Sequence, residues 1–114
     1  MRACPEPPTP TMTDSLQATV RTRANVYFDG KCVSHSLELA DGSKKSVGVI
    51  LPSTLKFNTG APERMELIEG ECRVRLPGAA DWATYRGGQS FDVPGQSAFD
   101  VEVTQTLHYV CHFL

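Results

Sequence analysis

The sequence predicts an all-β domain, a small antiparallel sandwich or barrel, on three observations. Apolar residues recur at every second position from Val26 onward, Gly and Pro break the chain at regular intervals, and no segment carries the three-and-four spacing of a helix. About nine short strands fit this way into the last ~90 residues. A chain of 114 residues makes one domain with a core of its own and is too short for two. Pro5, Pro7, Pro8 and Pro10 are half of the eight prolines and stand among few apolar side chains. Residues 1–20 are therefore expected to be a disordered tail, and residues 21–114 the folded domain.

The strands follow in order. Val33, Leu37 and Leu39 share one face, and Asp41-Gly42 supplies residues that tolerate positive φ at a tight turn into a strand over Ser46–Leu51. Leu55, Phe57 and Thr59 share a face in the next strand. Met65 and Leu67 do so beyond the Gly60–Pro62 corner. Cys72, Val74 and Leu76 alternate with Glu71, Arg73 and Arg75, which sets the charges outside, and Pro77-Gly78 closes that strand. Gly87-Gly88 precedes a strand with Phe91 and Val93. After Pro94-Gly95, Phe99, Val101 and Val103 face one way, and the final strand alternates Leu107, Tyr109, Cys111 and Phe113. Trp82 is expected to pack the preceding loop or a subunit interface.

Composition removes several classes of function. The net charge is −2 and no dense run of Lys or Arg is present, which argues against nucleic acid as a partner. Cys4, Cys32, Cys72 and Cys111 are widely spaced without a C-x2-C pair and read as thiols of a reduced, cytoplasmic protein. No apolar stretch approaches the roughly 20 residues of a membrane helix, and Met1-Arg2-Ala3-Cys4 lacks the apolar centre of a signal peptide.

Alternation also selects polar residues that point inward, since a side chain two positions from a buried one lies on the same face. By this rule Thr59 follows Phe57, Ser97 precedes Phe99, Tyr109 lies between Leu107 and Cys111, and Glu63 is in register with Met65. A barrel of this size encloses one small ligand. The stretch from Phe57 to Phe99 is also similar to a cupin, a jelly-roll-like β-barrel. Six residues separate Glu63 from Gly70, as in the cupin pattern, and Gly88 and Pro94-Gly95 follow. Phe57 and Thr59 stand where that pattern has histidines, and Ser97 or Ala98 stands near the third; none is a usual metal ligand. His108 and His112 would lie about 13 Å apart along a strand at about 3.3 Å per residue, on the face opposite Tyr109 and Cys111. His35 is expected to be packed or hydrogen-bonded.

The chain further resembles the small cupin-fold pyrimidine/purine nucleoside phosphorylases of bacteria. The resemblance runs from Asn25 to Leu114 and rests on Tyr27-Phe28-x-Gly30-Lys31, Ser46-Val47-Gly48-Val49, Phe57-x-Thr59-x-x-Pro62-Glu63-x-Met65, Asp81-Trp82-x-x-Tyr85 and Val93-Pro94-Gly95-x-Ser97-x-Phe99. The chain departs from the family in its Pro-rich extension and in Gln96, where a histidine stands in a relative. The resemblance implies attack of inorganic phosphate on the anomeric carbon of diverse nucleosides, release of the free base and a pentose 1-phosphate. It implies no metal or other cofactor, and a homodimer that covers exposed strand edges.

That reaction makes three demands. Phosphate needs donors and a cation, for which Ser46, Thr59 and Ser97 are candidate hydroxyls and Lys31, Lys44 and Arg64 candidate cations. The oxocarbenium-like sugar is stabilised by a nearby carboxylate, for which Glu63 is the candidate. The base needs aromatic faces, for which Phe57, Phe99 and Tyr109 are the candidate slot. Two other readings stay open: a cupin that binds a sugar or nucleotide without turnover, and a metal-dependent cupin enzyme.

Overall fold

A computed structural model describes residues 15–114, so Cys4 and most of the expected tail lie outside the described residues. Nine strands form among the described residues: β1 (Thr19–Val20), β2 (Asn25–Tyr27), β3 (Cys32–Glu38), β4 (Lys44–Ile50), β5 (Ser53–Asn58), β6 (Glu63–Arg75), β7 (Ala83–Arg86), β8 (Ser90–Val93) and β9 (Ala98–Phe113). A single three-residue turn, Phe28–Gly30, is the only helical geometry among them. Strand β1 already pairs with β3, Val20 opposite Leu37, so ordered pairing begins just inside the stretch expected to be tail. No helix among the described residues is long and apolar enough to cross a membrane.

All strands pair antiparallel in the order β1–β3–β4–β9–β6–β7, with β2 also on β3, β5 on β9 and β8 on β6. Two long strands make this one sheet into two layers. Residues 98–103 of β9 pair with β5 and with the second half of β6, whereas residues 107–113 pair with β4 and with the first half of β6. The expected barrel is thus a rolled sheet whose free edges do not pair with one another.

The bend needs a glycine. Register slips three times between Leu67 and Cys72, and Gly70 sits there with φ +105°, where a Cβ would overlap the Thr106 carbonyl oxygen. Only a residue without a side chain fits both the left-handed backbone and the close approach of β9. These slips also explain why the sequence pattern reads β6 as two strands: Met65 and Leu67 face inward at odd positions, Cys72 and Val74 at even ones. Elsewhere the turn residues act as expected. Gly42 has φ +87°, its N–H donates to the Leu39 carbonyl, and the Asp41 carboxylate accepts from the Ser43 N–H and hydroxyl.

Leu55, Leu67, Cys72, Val74, Phe91, Val93, Val101, Val103 and Leu107 fill the interior between the layers. Burial pushes the Cys72 thiol up to about 11, with the neighbouring Glu71 charge adding to it. On β3 the sequence expectation reverses. Val33 and Leu37 face outward, and it is Cys32 and Ser34 that are buried on the inner side. Leu37 is covered instead by the N-terminal segment, with Leu16, Ala18 and Val20 beside it over the outer face of β4 and β9. Trp82 packs its own loop onto β6, its ring 5.0 Å from both the Arg73 and the Arg75 guanidinium, and these arginines pair in turn with Glu102 and Asp100.

Candidate active site

Between the layers lies a cavity of about 370 Å³. Its floor comes from β3, β4 and the end of β9, where small residues stand in rows across the sheet. Ser34, Gly48 and Tyr109 are register partners, as are Ser46, Cys111 and Met65. Partners share a face, so Gly48 leaves open the path by which Tyr109 reaches β3. Its hydroxyl lies 3.6 Å from Cys32 Sγ and also bonds Ser34, whose Oγ accepts from Asn25 Nδ2 at 3.4 Å. A Cβ at Gly48 would overlap the Val33 carbonyl oxygen and meet Ser34 Cβ at 2.8 Å, so β3 and β4 approach this closely only with glycine there.

Glu63 enters the cavity from the start of β6. It accepts from the Cys111 thiol, which is also bonded to Ser46. Burial holds the Glu63 carboxyl above its ordinary 4.5, partly offset by the Cys111 bond. Burial likewise pushes both the Tyr109 hydroxyl and the Cys111 thiol far up, so both are proton donors at neutral pH. The cavity therefore carries one carboxyl surrounded by neutral donors: Ser34, Ser46, Tyr109 and Cys111.

The opposite wall is aromatic. Phe57 and Phe99 are register partners on β5 and β9, and their rings stack with centroids 5.6 Å apart and planes 25° from parallel. A base inserted between two rings needs about 7 Å, twice the ~3.5 Å contact distance. The two rings thus form one wall, and a base slot built with Tyr109 would not lie between them. Phe28 stands edge-on to Phe57 at 5.3 Å, and Tyr27 and Phe113 complete the mouth.

Of the residues singled out from sequence, Glu63, Ser46, Phe57, Phe99 and Tyr109 come together on this cavity, and Thr59, Ser97, Lys31 and Arg64 do not line it. Strand β5 stops at Asn58, which ends the alternation that would have carried Thr59 inward. Its hydroxyl donates to the Pro94 carbonyl at 2.7 Å and accepts from the Ser97 N–H at 3.0 Å, while the Thr59 N–H donates to the Ser97 carbonyl. Thr59 and Ser97 thereby tie two corners of the roll together. Arg64 alternates outward from Glu63 and pairs with Asp92, Nε to Oδ1 at 2.8 Å. Lys31 is exposed in the β2–β3 turn, and Lys44 is exposed at the start of β4. The cation that does line the cavity is Lys56, beside Asn58. Lys56 alternates with Leu55 and Phe57 and reads as solvent-facing, so alternation gives no sign that a long side chain at the sheet edge reaches the mouth. Ser34 was legible in principle, two residues from Cys32, but the apolar Val33 and Leu37 drew the assignment of the inner face to the other side.

The histidines lie outside the cavity. His112 Nε2 is 2.8 Å from Glu66 Oε1, and its Nδ1 is 2.7 Å from Lys45 Nζ. An ammonium only donates, so Nδ1 accepts and the proton rides on Nε2, bonded to Glu66. His35 Nδ1 lies 2.9 Å from the Arg21 carbonyl oxygen. Among the described residues no three His, Cys, Asp or Glu side chains gather so as to hold a metal ion.

A rolled antiparallel sheet around a small cavity defines a single-domain cupin, and solved structures agree. The cupin domain of an XRE-family transcriptional regulator from Enterobacter cloacae, 16% identical, matches at a TM-score of 0.50 over 62% of this chain and 81% of its own, a likeness of fold alone. A protein of unknown function from Acinetobacter sp. ADP1 is much nearer, 47% identical with a TM-score of 0.84 over 91% of this chain and 99% of its own. A pyrimidine/purine nucleoside phosphorylase from Leptothrix cholodnii is 63% identical over 103 residues, 90% of this chain and 99% of that protein. The model of the pyrimidine/purine nucleoside phosphorylase family matches residues 22–113, and the chain belongs to that family of pentosyltransferases.

Proposed function

We propose that the cavity is where this chain carries out the phosphorolysis for which its family is named, with inorganic phosphate as co-substrate and neither metal nor organic cofactor. An oxygen of phosphate bonds to the anomeric carbon as the glycosidic C–N bond breaks; the bonding pair leaves with the base, which takes up a proton. The observation that carries this reading is the division of one cavity between a ring wall, Phe57 and Phe99, and a floor of neutral donors around one carboxyl, in a chain so close to named nucleoside phosphorylases. The wall suits any nucleobase, since purines and pyrimidines both present a π-face. Glu63 suits the developing positive charge on the sugar. Lys56 is the lining cation, so it replaces Lys31 and Arg64 as the group that meets phosphate. Thr59 and Phe57, at the former ligand positions, are committed to corner bonds and ring packing, which favours chemistry without a metal.

We place the enzyme in the cytoplasm as a homodimer. Val26 on the free side of β2 is 61% exposed, an apolar edge that a second copy would cover. The deciding experiment incubates chelator-treated protein with uridine or inosine, with and without phosphate, and follows free base. Base release that needs phosphate and no added metal is the expected outcome. Binding without release would make the chain a sensor, and activity restored only by metal would make it a metallo-cupin.

A further inference from the structure

The Tyr27–Lys31 turn is not explained by catalysis as described above. Strands β2 and β3 pair up to Tyr27 opposite Cys32, and Phe28-Asp29-Gly30-Lys31 closes the hairpin. Phe28, Asp29 and Gly30 have φ of 54°, 55° and 91°, three successive residues in the left-handed region. Gly adopts it freely and Asp tolerates it, but a bulky aromatic residue does so only against steric resistance. The turn is pinned all the same, the Lys31 N–H donating to the Phe28 carbonyl at 3.1 Å and the Leu51 N–H to the Lys31 carbonyl at 2.7 Å.

The backbone strain places the ring at a particular spot. Phe28 lies at the cavity mouth, edge-on to Phe57, and remains 42% exposed; Tyr27 beside it is 49% exposed and Phe113 across the mouth 42%. Packing still leaves 42% of Phe28 in water, so packing alone does not account for keeping phenylalanine where asparagine or glycine would fit the backbone without strain. Large apolar side chains left in water around the rim of a cavity mark a surface that a ligand completes. A base lying along the Phe57–Phe99 wall would leave its rim-side edge in water, and Phe28, perpendicular to Phe57, is the ring at the rim whose face would meet that edge.

We propose that Phe28 is a specificity-determining residue whose ring meets the edge of the nucleobase at the cavity mouth and closes it from solvent. The proposal rests on the phosphorylase reading above. This ring contact is gained on binding and held through the reaction, so its loss raises KM and spares kcat. The larger purine reaches farther toward the rim than a pyrimidine and gains more from it.

The test compares wild type with Phe28→Asn and Phe28→Tyr. Asparagine suits the left-handed turn and so keeps the fold, while tyrosine keeps a ring. Phe28→Asn is expected to raise KM for inosine about tenfold, and KM for uridine less, with kcat within about twofold. Phe28→Tyr restores the wild-type KM. An inosine KM within twofold of wild type in Phe28→Asn overturns the proposal, as does an equal fall in kcat for both nucleosides accompanied by a lower melting temperature, since that is the mark of a structural residue. Wild-type protein that releases no base from either nucleoside overturns the phosphorylase reading itself, a result distinct from an active wild type indifferent to Phe28.

Discussion

The two halves of the interior are built on the same strands and differ in what their inward residues fill. Where β5, the start of β9 and the end of β6 meet, Leu55, Cys72, Val74, Val101 and Val103 are each at least nine-tenths buried, and these strands reach the cavity only near their ends, through Lys56, Phe57, Asn58 and Phe99. Where β3, β4 and the end of β9 meet, the corresponding positions hold Cys32, Ser34, Ser46, Gly48 and Cys111, and a hollow of about 370 Å³ remains. The strands are shared, so the small inward side chains of β3 and β4 are what open space beside the core. The hollow half also holds hydroxyls, two thiols and a carboxyl, bonded in two sets, Tyr109 with Cys32 and Ser34, and Cys111 with Ser46 and Glu63; among the described residues no buried side-chain nitrogen or oxygen lacks a partner. Stability is concentrated in one half and chemistry in the other.

This contrast can be broken most severely at the corner between the halves. Gly70→Ala forces a Cβ into the Thr106 carbonyl and a left-handed φ at once, and is expected to cost about 3 kcal/mol or to prevent folding, read from urea unfolding or soluble yield. Next, Leu55→Ala in the filled half should lower stability by about 2–4 kcal/mol in the same measurement. By contrast Ser46→Val in the hollow half should leave the melting temperature within a few degrees and cut kcat/KM about tenfold or more, because it fills space and removes one of the two partners of Cys111. If Ser46→Val destabilises as much as Leu55→Ala, the division into core and site is wrong.

Two smaller effects sharpen it. Tyr109→Phe removes only the hydroxyl near Cys32 and Ser34 and should cost about 1 kcal/mol of stability with a larger loss of activity. Glu63 supplies a test by pH. Its carboxyl is raised in the folded protein, so below its ordinary 4.5 both folded and unfolded chains hold the proton, and stability is lost as pH rises through the higher folded value. Glu63→Gln should therefore unfold at higher denaturant than wild type at pH 7 and match it near pH 4, while losing turnover at both. A wild-type advantage at pH 7 would show that the carboxylate is held by stronger partners than the Cys111 thiol.

Much of this was legible in the sequence, and the failures have physical causes. Alternation located most strands, and Gly42, Gly78 and Gly88 mark three turns with the positive φ their positions require. At Pro94-Gly95 the positive φ falls one residue later, on Gln96 at 49°, which no local signal distinguishes. The slips around Gly70 shift inward facing from odd to even positions, so a single strand reads as two. Of the site, Glu63, Phe57, Phe99 and Tyr109 follow from alternation because each lies within a strand and in step with a buried neighbour, while Ser46 entered only as a hydroxyl suited to phosphate. Thr59 and Ser97 were carried one step past the strand ends, where the pattern no longer holds. Lys56 reaches the mouth by its length, and Phe28 by three unusual dihedral angles; neither is encoded in periodicity.

His112 offers an unplanned reporter. It sits on the reverse side of β9 from Cys111 and Phe113, which both line the hollow, and its Nε2 proton is confined between the ring and the Glu66 carboxylate. A hydrogen-bonded imidazole proton of this kind resonates well apart from the crowded amide region of a proton spectrum. One isolated signal would then register, through the thickness of a single strand, whether the hollow is empty or occupied, without a label and without turnover.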